Sequence, residues 1–282
     1  MEMRAPRSKE RQGVTSMQHR RILSLIRISL KTLSIRVKAT AAIFSAIIYL
    51  LSSSAYAATT NVAVAANFTE PAKEIAQLFE NKTGHKVLLS FGATGQFYTQ
   101  IVQAAPFQVF LSADQSTPKK LVDEGFALAD SLFTYAVGKL VLFSANATTV
   151  NGEETWLDAK FNKIAIADPV TAPYGTAAVE TMKSLGVYER LVGKIVQGSN
   201  ISQTFQFVDT GNAELGFVAL SQVVTTKGGS KWIVPPNLYS PIRQDAVLLR
   251  SGVDNEAAKA FLAFLKGAEA TAVIERFGYG TK

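Results

Sequence analysis

The sequence predicts an α/β fold with largely parallel sheets, and two observations support this prediction. Short apolar runs rich in β-branched residues alternate along the chain with segments of helical periodicity. Small and polar residues repeatedly separate a predicted strand from the helix that follows it. The chain has no cysteine, so neither disulfides nor cysteine-bound metals contribute to its stability. The fold must therefore be held by its apolar core.

The first 57 residues have the features of a leader rather than of a folded domain. Residues 1–38 carry ten Lys and Arg, and the apolar run ATAAIFSAIIYLL follows at 39–51. The small-residue triplet Ala55-Tyr56-Ala57 then completes the pattern of a secretory signal peptide. We expect cleavage after Ala57 and export to the periplasm. An uncleaved membrane anchor is the alternative, for which this apolar run is short.

Removal of the leader changes the charge of the protein. The chain has 29 Lys and Arg and 22 Asp and Glu, of which ten and two lie in the leader. The remaining 19 basic and 20 acidic residues give the exported chain a net charge of −1. The basicity of the whole sequence therefore gives no argument for nucleic-acid binding.

The predicted elements follow from periodicity and from the residues that end them. Helices are expected where apolar residues recur on one face, as Ile75, Leu78 and Phe79 do, and Gly125 and Gly186 end two of them. The predicted strands are 61–65, 86–90, 108–112, 140–143, 163–167, 194–197, 215–220 and 246–249. The predicted helices are 71–82, 96–103, 117–124, 176–185, 203–209, 255–266 and 268–277. The proline-containing segment 235–241 is expected to be a connector.

Four junctions between a strand and a helix are the features that indicate chemistry. They lie at 66–69 (ANFT), 92–95 (GATG), 172–176 (APYGT) and 199–202 (SNIS). A helix N-terminus offers unpaired backbone N–H groups and the positive end of the helix dipole, and such termini gather at the carboxyl ends of parallel strands. Several of them together can hold an oxyanion with neutral donors alone.

Each junction also has an ordinary structural explanation. Asn67 and Thr94 are residue types that cap helices, and Tyr174 can be a core residue or a hydroxyl donor. Asp168 and Asp114 fit turn or cap positions. Catalysis has little support, because His85 is the only histidine after the leader and no G-x-S-x-G motif is present. No cluster of His or carboxylates suggests a metal cation.

Six segments in order resemble the molybdate-binding proteins of bacterial ABC importers. The segments are VAVAANF, FGATGQFYTQI, PFQVFLSAD, FTYAVGKLVLFS, IADPVTAPYGTAA and GNAELGFVALSQ, and the resemblance covers residues 58–280. It implies a two-lobed periplasmic binding protein with a ligand cleft between the lobes. The first lobe would comprise 58–137 and 240–282, and the second 138–239. Strands near 135–139 and the connector near 238–243 would form the hinge.

The resemblance also implies the ligand and its binding residues. Carried over by position, these are Asn67, Thr94, Tyr174 and Ile201, the last through its backbone N–H. Ala66 and Ala219 depart from the family, because some members have a donor-bearing Thr or Tyr there. The implied protein is a monomer without catalysis or cofactor, which binds molybdate or tungstate and delivers it to a membrane permease. Binding of another oxyanion, sulfate or phosphate, and an exported hydrolase that uses His85 are the alternatives.

Overall fold

The computed structural model describes residues 57–158 and 160–281. The predicted signal peptide, except for its last residue, lies outside this range. Within the described range, no helix combines the length and the apolar character that crossing a membrane requires.

The described chain alternates strands and helices, as the periodicity predicts. The strands are β1 (Thr59–Ala65), β2 (Lys86–Gly92), β3 (Val109–Leu111), β4 (Phe133–Gly138), β5 (Leu140–Ser144), β6 (Ile164–Ala167), β7 (Ile195–Gly198), β8 (Leu215–Ala219), β9 (Ser230–Ile233) and β10 (Ile242–Leu248). The α-helices are α1 (Thr69–Thr83), α2 (Thr94–Val102), α3 (Ser116–Asp123), α4 (Thr155–Asp158), α5 (Pro173–Ser184), α6 (Tyr188–Leu191), α7 (Ile201–Asp209), α8 (Leu220–Val223), α9 (Glu256–Leu265) and α10 (Ala268–Arg276).

The strands form two five-stranded sheets of matching design. The first has the order β2-β1-β3-β10-β4 and the second the order β7-β6-β8-β5-β9. In each sheet the first three strands are parallel, and the fourth is antiparallel to both of its neighbours. The predicted two-lobed α/β fold with mixed sheets is therefore confirmed, but the pairings are not mostly parallel, because each sheet has two parallel and two antiparallel ones.

The chain passes between the two sheets twice. The first passage joins β4 to β5 through Lys139, and the second joins β9 to β10 through the segment 234–241. Each passage supplies the antiparallel strand of the sheet that it enters. We keep the predicted lobe limits, 58–137 with 240–282 and 138–239, as a proposal that agrees with these crossings.

Both faces of each sheet are covered by apolar packing. In β1, Val62 and Val64 belong to one core cluster and Ala63 to the cluster on the opposite face. In β5, Leu140 and Leu142 lie in one cluster, whereas Val141 and Phe143 lie in another. Successive side chains of a strand point to opposite faces of the sheet, which explains this alternation. Because both faces are buried, these strands are apolar throughout.

Several boundaries differ from the prediction, and each difference has a local cause. Helix α5 begins at Pro173 rather than 176, because Pro at the first helical position costs no hydrogen bond. Strand β10 begins at Ile242 rather than 246, directly after the predicted connector 235–241, because its first residues pair with β4. The edge strand β9 was not predicted, because its four residues show no clear alternation of apolar and polar side chains. Gly125 and Gly186 follow their helices with φ of 81° and 67°, as expected.

Gly175 provides a test of how closely α5 packs on β6. A Cβ atom at this position would lie 2.2 Å from the backbone oxygen of Ala167. We expect Gly175→Ala to lower the free energy of unfolding by about 2–3 kcal/mol, measured by urea denaturation. Gly193→Ala is the matched control, because an added Cβ there meets no heavy atom within 4 Å. Equal stabilities of the two variants would contradict this packing.

Candidate functional site

The carboxyl ends of the parallel strands bring the four predicted junctions together. In the first sheet, Ala65 at the end of β1 is in register with Gly92 at the end of β2. In the second sheet, Ala167 at the end of β6 is in register with Gly198 at the end of β7. Because paired strands end side by side, the turns that follow them also lie side by side. This is the edge at which open α/β sheets bind ligands.

A small cavity lies where the turns of the two lobes meet, and it contains all four predicted binding residues. Its lining residues are Ala65, Ala66, Asn67, Gly92, Ala93, Thr94, Ala113, Ala172, Pro173, Tyr174 and Ile201. None of these eleven side chains is charged, and most are too small to keep a ligand away from the backbone.

Thr94 begins helix α2 with its hydroxyl held in a defined orientation. Its Oγ1 accepts a hydrogen bond of 3.0 Å from the backbone N–H of Ala113, and the residue is 2% exposed. The hydroxyl proton is not used in that bond, so it can be donated to a ligand. The backbone N–H of Thr94 is in the first turn of α2 and has no acceptor within the helix.

Ile201 begins helix α7 immediately after a capping residue. The side-chain oxygen of Asn200 accepts from the backbone N–H groups of Ser202 and Gln203, at 2.9 and 3.0 Å. This cap satisfies the second and third N–H groups of the helix and leaves the first, that of Ile201. The junction is therefore an N-cap that still leaves one N–H group able to donate to an anion, so the two roles that the sequence presents as alternatives are compatible.

Tyr174 lies in the first turn of α5 and is only 1% exposed. Its hydroxyl oxygen accepts a hydrogen bond of 3.3 Å from Nε2 of Gln244, and the hydroxyl of Tyr279 lies close enough to interact with it. Burial raises the pKa of the Tyr174 hydroxyl well above its usual value, and neighbouring tyrosines add to this shift. The hydroxyl therefore keeps its proton at neutral pH.

Asn67 lines the cavity, but its side chain is committed to the hinge. Its Nδ2 donates to Oε1 of Gln244 and to the hydroxyl of Tyr279, both at 2.9 Å. Both amide hydrogens are thereby used. The backbone N–H of Asn67 lies in the 3₁₀ turn Ala66–Phe68, too early in that turn for an internal acceptor. Any contribution of Asn67 to ligand binding thus falls to its backbone.

Direct contacts across the cleft show that the lobes are closed on the cavity. The backbone N–H of Gly95 donates to the carbonyl of Thr171 at 2.9 Å. The hydroxyl of Ser202 donates to the carbonyl of Ala66 at 3.2 Å. Each of these bonds joins the start of a cavity-lining helix to the opposite lobe, so closure and assembly of the site occur together.

The acidic groups near the cleft are occupied elsewhere. The carboxylate of Asp168 accepts from the backbone N–H of Val170 and the hydroxyl of Thr171, both at 3.0 Å. Asp114 accepts from the backbone and hydroxyl of Thr117. Both therefore occupy the turn and cap positions expected of them, and neither lines the cavity.

His85 and metal-binding groups are absent from this cavity. His85 joins α1 to β2, and its Nδ1 accepts from the backbone N–H of Ala58 at 3.1 Å. Across the described part of the chain, no group of three or more His, Asp or Glu is placed to hold a metal ion. Chemistry at the cavity therefore depends on hydrogen-bond donors.

The chain matches a protein-family model over residues 60–280, and that family is described as bacterial extracellular solute-binding protein. The chain belongs to this family. The match covers both sheets and every residue that lines the cavity. The two-lobed architecture and the closed cleft are thus features of a solute-binding protein.

Two curated relatives of this solute-binding protein, both more than 50% identical to it, have the same printed name. It is 59% identical over 220 residues to the molybdate-binding protein ModA of Rhodobacter capsulatus, covering 78% of this chain and 87% of the relative. It is 56% identical over 235 residues to ModA of Azotobacter vinelandii, covering 82% and 93%. These identities show that the chain is a member of the ModA family, as the six sequence segments predict.

A solved structure extends the similarity to the fold. A periplasmic molybdate-binding protein of Azotobacter vinelandii superposes with a TM-score of 0.77 at 39% identity, over 79% of this chain and 99% of that one. The sulfate-binding protein SubI of Mycobacterium tuberculosis superposes with a TM-score of 0.64 at 12% identity. The second similarity shows the shared fold alone.

The sequence missed the hinge residues that support the site. Gln244 is fully buried in β10, and Tyr279 follows α10 near the C-terminus. Gln244 lies 177 positions from its partner Asn67 in the chain, and Tyr279 lies 212 positions away. Nothing local marks either residue. In the strand sequence IRQDAVL, Gln244 stands between Arg243 and Asp245, so its polarity does not set it apart from its neighbours.

The buried tyrosines of the hinge provide a test of this environment. Burial raises the pKa of Tyr135, Tyr174 and Tyr279 above the usual value. These groups favour the folded state fully below about pH 10, the pKa of an unfolded tyrosine, and the advantage is lost as the pH rises further. An ultraviolet titration should show three tyrosines that ionise only as the protein unfolds. Tyr135→Phe should remove one of them. Ionisation of every tyrosine before unfolding would contradict this description.

Proposed function

We propose that this protein binds molybdate in the periplasm and delivers it to the permease of an ABC importer. The observation that carries the proposal is the closed cavity, which has donors from both lobes and no charged side chain. Identity of 59% to a molybdate-binding protein supports this choice of ligand. The backbone N–H groups of Asn67, Thr94, Tyr174 and Ile201 and the hydroxyls of Thr94 and Tyr174 are the proposed donors.

A site of this kind selects a fully deprotonated tetrahedral dianion. Neutral donors at helix starts stabilise the charge without a cation. Hydrogen phosphate carries a proton that needs an acceptor, and no carboxylate lines the cavity. Sulfate has shorter bonds than molybdate, so some donors would be left without a partner, at about 1–3 kcal/mol each. Tungstate matches molybdate in charge and size, and we propose that it binds equally well.

The proposal also covers export, the oligomeric state and the absence of catalysis. We propose export through residues 1–57 with cleavage after Ala57, and a monomer that requires no cofactor. Ala66 and Ala219 supply no side-chain donor, and the Tyr174 hydroxyl takes the place of the missing one. The hydrolase alternative gains no support, since His85 does not line the cavity.

Isothermal titration calorimetry of the protein from residue 58 onward tests the proposal. Molybdate and tungstate should bind with similar affinity, and sulfate and phosphate at least about a hundredfold more weakly, as two unpaired donors would require. Displacement of molybdate by sulfate or phosphate at comparable concentration would overturn the choice of molybdate.

Substitution of the two hydroxyls tests the proposed donors. Each hydroxyl makes a hydrogen bond to a charged oxygen in a dehydrated cavity, worth about 1.5–3 kcal/mol. Thr94→Val and Tyr174→Phe should therefore each weaken molybdate binding by roughly tenfold to a hundredfold, measured by calorimetry. If both variants bind as tightly as the parent protein, the two residues have only structural roles.

Gly95 provides a test of closure that is separate from the ligand contacts. A Cβ at this position would lie 3.1 Å from Cα of Thr171 in the opposite lobe. Gly95 is also in the first turn of α2, where alanine is the better helix former by up to about 1 kcal/mol. Gly95→Ala should thus weaken molybdate binding about tenfold or less, for a cost near 1 kcal/mol.

The stability of the same variant supplies the second half of this test. The free energy of unfolding without ligand should stay equal or rise, because the added methyl group favours the helix. Gly193→Ala, which places its methyl group in open space, should change neither quantity. Unchanged affinity in Gly95→Ala would show that binding does not require this contact.

A further inference from the structure

Two features of the chain lie outside the candidate cavity and have no part in the proposed anion site. One is His85, the only histidine after the predicted leader, and the other is the predicted cleavage site after Ala57. The fold brings them together, because Ala58, the residue that follows the cleavage site, lies against His85. The backbone nitrogen of Ala58 donates a hydrogen bond of 3.1 Å to Nδ1 of the His85 imidazole. Both residues are half-buried.

The sheet holds Ala58 on its carbonyl side. The backbone oxygen of Ala58 accepts a hydrogen bond of 2.8 Å from the N–H of Lys86. Strand β1 begins at the next residue, Thr59, which is in register with Lys86. Asn255, the N-cap of α9, donates to the carbonyl of Thr59 at 2.9 Å. The chain is thus fixed from Ala58 onward, whereas Ala57, the residue before it, is exposed.

The imidazole of His85 is held by the turn between α1 and β2 and by the core. Gly84 ends α1 with φ of 74°, and this left-handed residue turns the chain from the helix into the strand. The backbone N–H of His85 donates to Oγ1 of Thr83 at 3.2 Å. The imidazole stacks on the ring of Phe79, with 6.0 Å between the centroids and 29° between the planes. Because Phe79 is fully buried, the surface that orients the imidazole is itself fixed.

Charged side chains of the same turn have partners of their own. Glu80 accepts from Nζ of Lys86 at 3.1 Å and from the backbone N–H of Val87 at 2.9 Å. Lys82 forms an ion pair with Glu269 of α10. The bond between Ala58 and the imidazole is therefore a separate contact and not a part of these ion pairs.

Cleavage after Ala57 changes the donor that His85 receives. In the uncleaved chain, the nitrogen of Ala58 is a peptide N–H without charge. In the exported chain the same nitrogen is the α-amino group, and at about pH 7 an α-amino group is mostly protonated whereas an imidazole is mostly neutral. An ammonium has several N–H donors, so one can keep the bond to Nδ1 while the others contact water. A hydrogen bond from a charged donor is also stronger than one between neutral groups.

We propose that His85 is the binding site for the amino terminus that cleavage creates, so that removal of the leader strengthens the start of the first sheet. This inference rests on the part of the proposed function that places cleavage after Ala57. The bond joins the residue before β1 to the turn before β2, which is the edge strand of that sheet. Processing would thereby make the exported protein more stable than its precursor. The anion cavity stays as it is, since neither Ala58 nor His85 lines it.

Urea denaturation of two forms of the protein tests the proposal. One form begins at Ala58 with a free α-amino group. The other carries a short extension of glycine and serine before Ala58, so that this nitrogen remains a peptide N–H. At about pH 7, the equilibrium constant for unfolding should be about threefold to fivefold smaller for the form with the free terminus, because its donor is charged. Equal constants for the two forms would overturn the proposal.

Substitution of His85 shows whether the imidazole is responsible for this difference. His85→Phe keeps a ring that can stack on Phe79 but has no acceptor, so the two forms should then differ by less than about twofold. His85→Asn places an amide oxygen near the position of Nδ1 and should restore part of the difference. Gln77→Ala, at an exposed position of α1, is the matched control and should leave the whole difference. A full difference in His85→Phe would overturn the proposal, because another group would then hold the terminus.

Nuclear magnetic resonance tests the bond in the unsubstituted protein. The chain from Ala58 onward has a single histidine, so it gives one set of imidazole nitrogen signals. In the form that begins at Ala58, the proton of the neutral imidazole should be on Nε2, which leaves Nδ1 as the acceptor. The Nδ1 signal should also differ between the two forms, because only one of them has a charged donor. A proton on Nδ1, or the same signals in both forms, would overturn the proposal.

Sequencing of the amino terminus of the exported protein separates the two levels of failure. A first residue other than Ala58 refutes the proposed cleavage together with this inference. An exported protein that begins at Ala58 but unfolds like the extended form refutes this inference alone.

Discussion

The proposed function requires that a dehydrated dianion is held by groups that carry no charge. A pair of negative charges removed from water requires strong compensation, and the cavity residues have no Lys, Arg or His to supply it. Helix starts supply it instead, because their N–H groups and dipoles point at one place. Three α-helices of nine or more residues, α2, α5 and α7, begin at the cavity. The parallel strands bring those starts to one edge, and the two lobes bring two edges together.

Closure of the lobes depends on the same small residues that allow the anion to approach. Gly95 contacts Thr171 across the cleft, and Gly138 makes room for Tyr174 and Gln244 at the hinge. A larger side chain at Gly95 would push Thr171 away, and one at Gly138 would push Tyr174 and Gln244 away. The GATG turn therefore serves two purposes: it exposes backbone donors, and it permits the opposite lobe to dock against them. We infer that affinity is set by the fit between the lobes as much as by the number of donors.

The sequence predicted the parts of the site that are local in the chain. Asn67, Thr94, Tyr174 and Ile201 all follow strand ends, and the structure places the four residues around one cavity. The limits of α5 and β10 were less accurate. Pro173 can begin α5 without the loss of a hydrogen bond, and Ile242 belongs to β10 because it pairs with β4. The role of Asn67 was incomplete, since only the fold shows that its amide is used by Gln244 and Tyr279.

The support for Tyr174 could not have been predicted from the sequence. Tyr174 and Gln244 are 70 positions apart, and Tyr279 is a further 35 positions along the chain. The two passages of the chain between the lobes bring these residues together. Local patterns describe which face of a strand is buried, but they do not indicate which distant polar group a buried glutamine will meet. Sequence arguments thus recover donors, whereas the direction of each donor requires the fold.

Proton linkage of ligand binding tests the central claim most directly. Calorimetric titrations with molybdate, in buffers of different ionisation enthalpy at a pH where molybdate is the full dianion, give the number of protons exchanged on binding. A cavity of neutral donors with no titrating group predicts that this number is zero. Uptake or release of about one proton would contradict the account, because it would require an acceptor in the cavity or a protonated ligand.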